Sequence, residues 1–330
     1  MAYASSPSAA LPRPRVVWLG AAGTQTAFGL LTTIRRTWGS DVYIVAADIN
    51  PRWLIPASTI ADAYVQVPRA DDEAFPDFLV DALTRHEVDT YIPIIDSEIV
   101  VAAALRAAGR LPREVLTLAP SAEVTVRCLD KLEMARWLDA EGFPSPETRL
   151  PAHAEWSSEG LVVKPRCGVG SVGVRVLTTP SELALLRDDE SVVVQERCAS
   201  PELTIDAFRT RGTGTGRAVC RQRIEVKAGV STKARVFYDR ELETLAMALG
   251  ARLELTGAFC FQVMRSKDTE SWMITDVNPR PGAGTTMSAA VGFDVLTATL
   301  ADAWGLPEAP QLEVPAEDRY VARQYADYVL

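Results

Sequence analysis

Four side chains in the last third of the chain are of the types that hold a cation against phosphate groups. Asp276, Asn278 and Arg280 lie two residues apart on an apolar run that ends at a proline-glycine turn. Because residues two apart in a β-strand share a face, these side chains should point the same way unless the strand ends early. Gln262 lies on a strand-like run upstream. Carboxylate and amide oxygens suit a hard cation that holds phosphates, and the arginine supplies positive charge for a transferring group. The alternative is a strand end with polar surface residues.

A lysine followed by a glycine-rich segment forms a second candidate group. Lys164 ends a predicted strand, and the loop after it contains Gly168, Gly170 and Gly173. Glycines let backbone N–H groups approach phosphate oxygens, and the lysine supplies a point charge. The loop is not a Walker A motif, because no Gly-Lys-Ser/Thr follows it. A flexible hairpin is the alternative. Lys131, at the start of a predicted helix, is either a second phosphate ligand or a solvated helix residue.

Two glutamates near the end of another predicted strand could bind a nucleotide base and sugar. The strand ends near Glu196, where backbone groups, including those of Cys198, could bind an adenine edge. The Glu196 carboxylate could accept the adenine amino group, and Glu202 could accept ribose hydroxyl groups. Each glutamate taken alone could also be a surface residue.

Two further sets of charged residues could bind a substrate. Asp96 and Glu98 follow a predicted strand and could hold an amino group, or they could cap the next helix. Arg221 and Arg223 should share a strand face and could bind a substrate carboxylate or a triphosphate, with a solvated sheet face as the alternative.

A glycine turn near the start of the chain is a weak signal for dinucleotide binding. Gly20-x-x-Gly23 lacks the full Gly-x-Gly-x-x-Gly spacing, although Asp48 lies at a suggestive distance. A tight strand-to-helix turn without a ligand fits equally well.

Strands and helices must bring these residues together. The first part of the chain alternates apolar runs with predicted helices at about 26–36, 75–86 and from residue 99. This alternation predicts a parallel, doubly wound α/β sheet, which binds ligands at the carboxyl ends of its strands. Later predicted strands belong to a small unit and a further sheet: 161–165, 192–196, 203–208, 218–226, 235–237 and 257–263.

The composition limits the class of protein. The length of 330 residues suits two or three domains. A net charge of −9 argues against a general nucleic-acid binder, and no apolar run approaches the roughly 18 residues of a membrane span. Five scattered cysteines indicate reduced thiols in a cytoplasmic protein. Two histidines leave little material for a zinc site or a Ser-His-Asp triad.

The order of these residues resembles the ATP-grasp superfamily, and within it the carbamoyl-phosphate-synthetase-like branch of carboxylate–amine ligases. The segments that carry the resemblance are VVKPRCGVGSVGV, VVVQERCASPELTIDAF and FCFQVMRSKDTESWMITDVNPRPGAG. The resemblance implies an α/β fold in four parts: a disordered lead-in (1–14), a Rossmann-like pre-ATP-grasp domain (15–120), a lid subdomain (121–198) and a C-terminal ATP-grasp subdomain with the metal site (199–330).

The resemblance also implies a role for each candidate residue. ATP would bind to eight of them: Lys131, Lys164, Gly168, Gly170, Gly173, Glu196, Cys198 and Glu202. Magnesium, or manganese, would bind to Gln262, Asp276 and Asn278, and Arg280 would be the catalytic residue at the transferring phosphoryl group. Many relatives have carboxylates at the first two metal positions, the second usually glutamate. Glutamine at the first is familiar in this branch, whereas Asp276 is shorter than the usual residue.

The implied activity is amide or peptide bond formation through an acyl phosphate, with release of ADP and phosphate. The implied partners are a small-molecule carboxylate and an amine, often amino acids, with no nucleic acid or membrane and a homodimer as the commonest assembly. One alternative is an ATP-binding regulator that has lost catalysis. Another is a dinucleotide-dependent oxidoreductase, which would leave Lys164, Gln262 and Asp276 unexplained.

Overall fold

Three sheets carry the fold in the computed structural model, which describes residues 11–168, 172–227, 230–306, 312–324 and 326–330. The first sheet is parallel and the other two are antiparallel. The predicted α/β class is therefore confirmed. No helix in the described ranges is long and apolar enough to cross a membrane. All five cysteines are free, and Cys167 is the exposed one.

The first sheet has the strand order β3-β2-β1-β4-β5. Its strands are β1 (Arg15–Leu19), β2 (Val42–Asp48), β3 (Ala63–Gln66), β4 (Thr90–Ile92) and β5 (Leu116–Thr117), and its helices are α1 (Gln25–Trp38), α2 (Phe75–Arg85) and α3 (Asp96–Ala107). Val17 and Leu19 pack into one apolar cluster and Trp18 into another, so both faces of the sheet are covered. Strands that are buried on both faces have continuously apolar sequences, which is why these strands can be predicted from apolar runs. The strand order reverses between β1 and β4, where such sheets open a crevice.

Helix α3 starts earlier than the sequence suggested. The sequence predicts a helix from residue 99 after a strand over residues 90–95, but β4 ends at Ile92 and α3 begins at Asp96. Pro93 has no N–H for the strand ladder, and Ile95 stands in an extended conformation as the N-cap. Asp96 and Glu98 therefore lie in the first helical turn, where negative charge is favourable.

The second sheet is small and has the order β6-β9-β7-β8. Its elements are α4 (Ala122–Leu129), α5 (Lys131–Ala140), β6 (Thr148–Arg149), β7 (Leu161–Pro165), β8 (Arg175–Leu177), α6 (Pro180–Ala184) and β9 (Val192–Glu196). Asp130 caps α5 by accepting from the N–H groups of Leu132 and Glu133. The same carboxylate pairs with Arg166 at 2.7 Å, which ties the start of α5 to the end of β7.

The third sheet is antiparallel, with the order β14-β13-β10-β11-β12-β15. Its elements are β10 (Ala199–Arg209), β11 (Gly216–Lys227), β12 (Val230–Phe237), α7 (Arg240–Arg252), β13 (Gly257–Arg265), β14 (Trp272–Asn278), α8 (Thr285–Ala289), α9 (Val295–Ala303) and β15 (Arg319–Ala322). Leu203 and Ile205 on β10 share a buried cluster with Leu242 on α7. Because side chains alternate along a strand, Thr204 and Asp206 point to the opposite face, which carries polar groups.

Candidate active site

A row of polar side chains crosses four neighbouring strands on the polar face of the third sheet. Arg221 on β11 is in register with Thr204 on β10, Thr204 with Gln262 on β13, and Gln262 with Asp276 on β14. Directly opposed residues on antiparallel strands have side chains on the same face. The pairing of β13 with β14 therefore brings Gln262 and Asp276 together.

Asn278 joins Gln262 and Asp276 to form one cluster of oxygen-bearing groups. Its Nδ2 lies 3.3 Å from Oε1 of Gln262 and 3.3 Å from Oδ2 of Asp276. A half-turn of the Asn278 amide would place its oxygen at the same point, because the two amide orientations are nearly isosteric. Three oxygens of this kind fit magnesium. The described residues hold no metal-binding group of three His, Cys, Asp or Glu side chains, so this cluster rests on two amides and one carboxylate.

Lys164 reaches the metal candidates from the second sheet. The register of β13 and β14 shifts beside Asp276, which leaves Thr275 as an extra residue. The carbonyl of Thr275 accepts a hydrogen bond of 3.1 Å from Nζ of Lys164. Burial lowers the pKa of Lys164, while the Asp276 carboxylate acts in the opposite direction. A half-buried ammonium held by a carbonyl is ready for an anionic ligand.

Lys131 supplies a second ammonium at the same place. Its Nζ donates to the carbonyl of Gly168 at 3.0 Å, and its backbone N–H donates to Arg166 at 3.0 Å. The glycine-rich segment that follows β7 is thus held against the start of α5. Gly173 has a φ of +78°, and a Cβ there would lie 2.9 Å from Pro165, so a larger residue would be strained and crowded. Gly170 lies outside the described residues.

A cleft of 640 Å³ collects most of the predicted site residues. It is lined by groups from all three sheets, among them Asp96, Lys131, Lys164, Gly168, Glu202, Arg223, Gln262, Asp276, Asn278 and Arg280. This volume is within the range of about 300–1,000 Å³ that holds a drug-sized ligand.

The residues predicted for adenine lie at the end of β9, beside a different surface. Glu196 borders a separate pocket of 500 Å³, its N–H donates to the carbonyl of Glu147 at 2.9 Å, and its Oε2 accepts from the Glu147 N–H at 3.4 Å. Cys198 is buried, and burial raises the pKa of its thiol to about 11. The Glu196 side chain thus lines a different pocket from the one that the lysines and the metal candidates line.

Arg280 lies two residues beyond the end of β14 and contacts the first domain. Its Nε is 2.6 Å from Oδ1 of Asp96, and both side chains are less than one-fifth exposed. The predicted amine ligand and the predicted catalytic arginine are therefore ion-paired. The two residues are 184 positions apart, so no local sequence signal pointed to this pairing.

Glu98 is separated from Asp96 and lies beneath the first glycine turn. It is 4% exposed, accepts from the Tyr91 hydroxyl at 2.8 Å, and would collide with a Cβ at Gly20. Burial, helped by the charge of Asp48, raises the pKa of Glu98 to about 7. The N–H of Gly23 donates to Asp48 at 2.7 Å. This turn is filled by the protein's own carboxylates, which argues against a dinucleotide phosphate there.

The predicted arginine pair shares the cleft, but each member has a carboxylate partner. Arg223 pairs with Glu202 at 3.0 Å. Arg221 is 3% exposed and donates from Nε to Asp206 at 3.0 Å. Asp206 also accepts from the hydroxyl groups of Thr285 and Ser288. Sequence analysis missed Asp206, although its alternation with Thr204 on β10 could have placed it on the polar face.

Comparison with known families identifies two parts of the chain. Residues 128–284 match the family model of the ATP-grasp domain, and residues 18–110 match that of the PylC-like N-terminal domain. Among curated proteins compared by sequence, none matches the chain.

Solved structures with the same fold cover most of the chain. L-amino acid ligase from Bacillus licheniformis has a TM-score of 0.71 at 16% identity, over 92% of this chain and 78% of that one. N5-carboxyaminoimidazole ribonucleotide synthetase from Thermotoga maritima has a TM-score of 0.67 at 16% identity, over 90% and 78%. Biotin carboxylase from Campylobacter jejuni has a TM-score of 0.69 at 16% identity, over 91% and 73%. At these identities the likeness concerns the fold.

Proposed function

We propose that this chain, which belongs to the ATP-grasp superfamily, is an ATP-dependent carboxylate–amine ligase that forms an amide or peptide bond between amino-acid-like substrates. The observation that carries the proposal is the meeting of Lys131, Lys164, the Gln262–Asp276–Asn278 cluster and Arg280 in one cleft. The names of the similar structures, which include an L-amino acid ligase, support this reaction class.

The proposed reaction has two steps. The γ-phosphoryl group passes from ATP to a carboxylate oxygen, the bond from γ-phosphorus to the bridging oxygen breaks, and ADP is released. The amine nitrogen then attacks the acyl carbon, the bond from carbon to the phosphate oxygen breaks, and the nitrogen loses a proton. Phosphate is a far better leaving group than oxide, so the acyl phosphate makes amide formation possible. No covalent nucleophile of the protein is needed, and positioning and charge neutralisation carry the catalysis.

Each residue of the cleft has a proposed part in positioning ATP. Lys131 and Lys164 bind phosphate oxygens, because each ammonium group donates to a carbonyl that an anion can replace. Gln262, Asp276 and Asn278 would hold magnesium, or manganese, which lowers the charge of the triphosphate when bound. Arg280 stabilises charge on the transferring phosphoryl group, with Asp96 as its partner.

We place the sugar and the base of ATP next to the end of β9. Arg223 donates to Oε1 of Glu202, and Oε2 is our proposed acceptor for a ribose hydroxyl group. The backbone around Cys198 and, once its side chain turns away from Glu147, the Glu196 carboxylate would bind adenine; both residues belong to the predicted lid, residues 121–198. Closure of that lid would also protect the acyl phosphate from water.

Phosphate release from Mg-ATP in the presence of pooled amino acids and small carboxylic acids tests the proposal. The expected result is release that depends on a particular pool, with a product one water lighter than its two substrates together. Asp276→Ala should abolish this activity, whereas Asp268→Ala, on the exposed β13–β14 turn, should retain it. ATP binding without turnover in any pool, and with no effect of Asp276→Ala on that binding, would contradict the proposed ligase.

A further inference from the structure

A second cavity, of 250 Å³, lies between the first domain and the third sheet. Its apolar lining includes Ile92 at the end of β4, Leu118 after β5, and Leu296 and Leu300 of α9. It is smaller than the roughly 300–1,000 Å³ of pockets for drug-sized ligands. Its walls and size suit a compact molecule with an apolar body of a few carbon atoms.

Two arginines that the proposed reaction does not use enter this cavity. Arg106 is held by backbone carbonyls, including that of Ala119 at 2.7 Å. Arg211 has its nearest carboxylate, that of Asp302, 3.9 Å from Nε. Burial lowers the pKa of Arg211; Asp302 opposes this shift and Arg106 adds to it. Two guanidinium groups in a half-buried space repel each other, and an anion between them would remove that cost.

A third arginine that borders the cavity is Arg280. Arg280 lines both this cavity and the 640 Å³ cleft, and Pro279 and Pro281 line the cavity on either side of it. A molecule in the cavity would therefore contact the segment that carries the proposed catalytic arginine. Glu254 also lines the cavity and disfavours a doubly charged occupant.

We propose that this cavity is an effector site for a small monocarboxylate with an apolar body, bound through the guanidinium of Arg211. The planar guanidinium of Arg211 can bind a carboxylate in a bidentate manner. Arg106 is less suited to this, because its guanidinium already donates to backbone carbonyls. The bound molecule contacts Pro279 and Pro281 and shifts Arg280 away from Asp96 and the transferring phosphoryl group, so its binding inhibits the enzyme. The inhibitory part of the inference rests on the proposed ligase function; the binding part does not.

Calorimetric titration of the full chain with 3-methylbutanoate tests the binding part. The uncharged 3-methylbutanamide and inorganic phosphate are the comparison ligands. We expect the acid to bind to the wild type and to Arg113→Gln, an exposed arginine of the first domain, and to bind about tenfold more weakly to Arg211→Gln. Thr256→Leu narrows the exposed rim of the cavity without changing a charge and should also weaken binding. This variant replaces Arg211→Gln in the test if Arg211→Gln misfolds.

Three results would overturn the binding part: no binding of the acid, equal binding to all variants, or binding of phosphate in its place. For the inhibitory part, the acid should lower kcat severalfold in the wild type and in Arg113→Gln, leave KM for ATP unchanged, and have no effect on Arg211→Gln. Binding that depends on Arg211 but leaves kcat unchanged would refute the inhibitory part and would still support the binding part. Because the titration needs no substrate pair, failure of the ligase assay and failure of this site are separate results.

Discussion

Replacing Glu98 by glutamine should change how the stability of the first domain depends on pH. Burial raises the pKa of Glu98 from 4.5 to about 7. Between these values the folded protein keeps a proton that the unfolded chain has lost, so stability falls as the pH rises. The stabilisation is complete below the unfolded pKa near 4.5 and is lost through pH 7. At 1.36 kcal/mol per pKa unit, the full loss is on the order of 3 kcal/mol.

Glutamine keeps an oxygen for the Tyr91 hydroxyl but carries no charge above pH 7. The stability difference between Glu98→Gln and the wild type should therefore move in favour of the variant by about 2–3 kcal/mol from pH 4.5 to pH 8. Hydrogen exchange of peptides that cover β1 and β4, measured by mass spectrometry at several pH values, reports the opening of this sheet. Glu114→Gln, exposed in the same domain, should follow the wild type. Parallel stability curves for the wild type and Glu98→Gln would refute the reasoning.

Four further changes test other contacts. Asp96→Asn should lower kcat roughly 10- to 100-fold with KM for ATP nearly constant, since Arg280 loses its orienting partner; an equal change in both would contradict a positioning role. Lys164→Met should weaken ATP binding by about tenfold or more in a fluorescence titration, and unchanged affinity would remove Lys164 from the ATP site. Gln262→Glu should tighten magnesium binding without ATP, measured by calorimetry, because it adds a second carboxylate. Ser288→Ala should cost about 1–3 kcal/mol in urea unfolding, as it removes a 2.6 Å hydrogen bond to buried Asp206; a loss no larger than that of Ser158→Ala, at an exposed serine, would show that the bond is dispensable.

The elements that sequence patterns predicted well are those with one strong periodicity. The buried strand Val42–Asp48 is a continuous apolar run, and the alternation around Asp276 and Asn278 reports a half-buried strand. The cross-strand pairing of Gln262 with Asp276 follows from joining two such strands in an antiparallel sheet. The metal candidates could therefore be grouped from sequence. Short elements such as α8 and β15 have too few residues to show a period, and they were missed.

The predicted substrate residues Asp96 and Glu98 show how an error in the start of one helix changes a predicted binding site. The sequence predicts that Asp96 and Glu98 lie between a strand and a helix that begins at Ile99, where both could bind one amino group. In the structure they belong to α3, and with 3.6 residues per turn two residues apart point about 200° from each other. Asp96 therefore turns toward Arg280 and Glu98 toward Gly20. The partner of Asp96 comes from the third sheet, and a pairing between domains leaves no periodic signal in the chain.

The charges of the cleft suit a metal ion that arrives together with ATP. Asp276 is the one carboxylate of the metal cluster, and Gln262 and Asn278 are neutral. Magnesium gives up its waters reluctantly and is commonly held by one or two carboxylates together with substrate phosphates. The nearby ammonium groups of Lys131 and Lys164 would repel a cation alone but attract a triphosphate that carries one. Nucleotide and metal should consequently bind with positive cooperativity. The affinity for magnesium should rise strongly when ADP is present and should lose most of that increase in Lys164→Met.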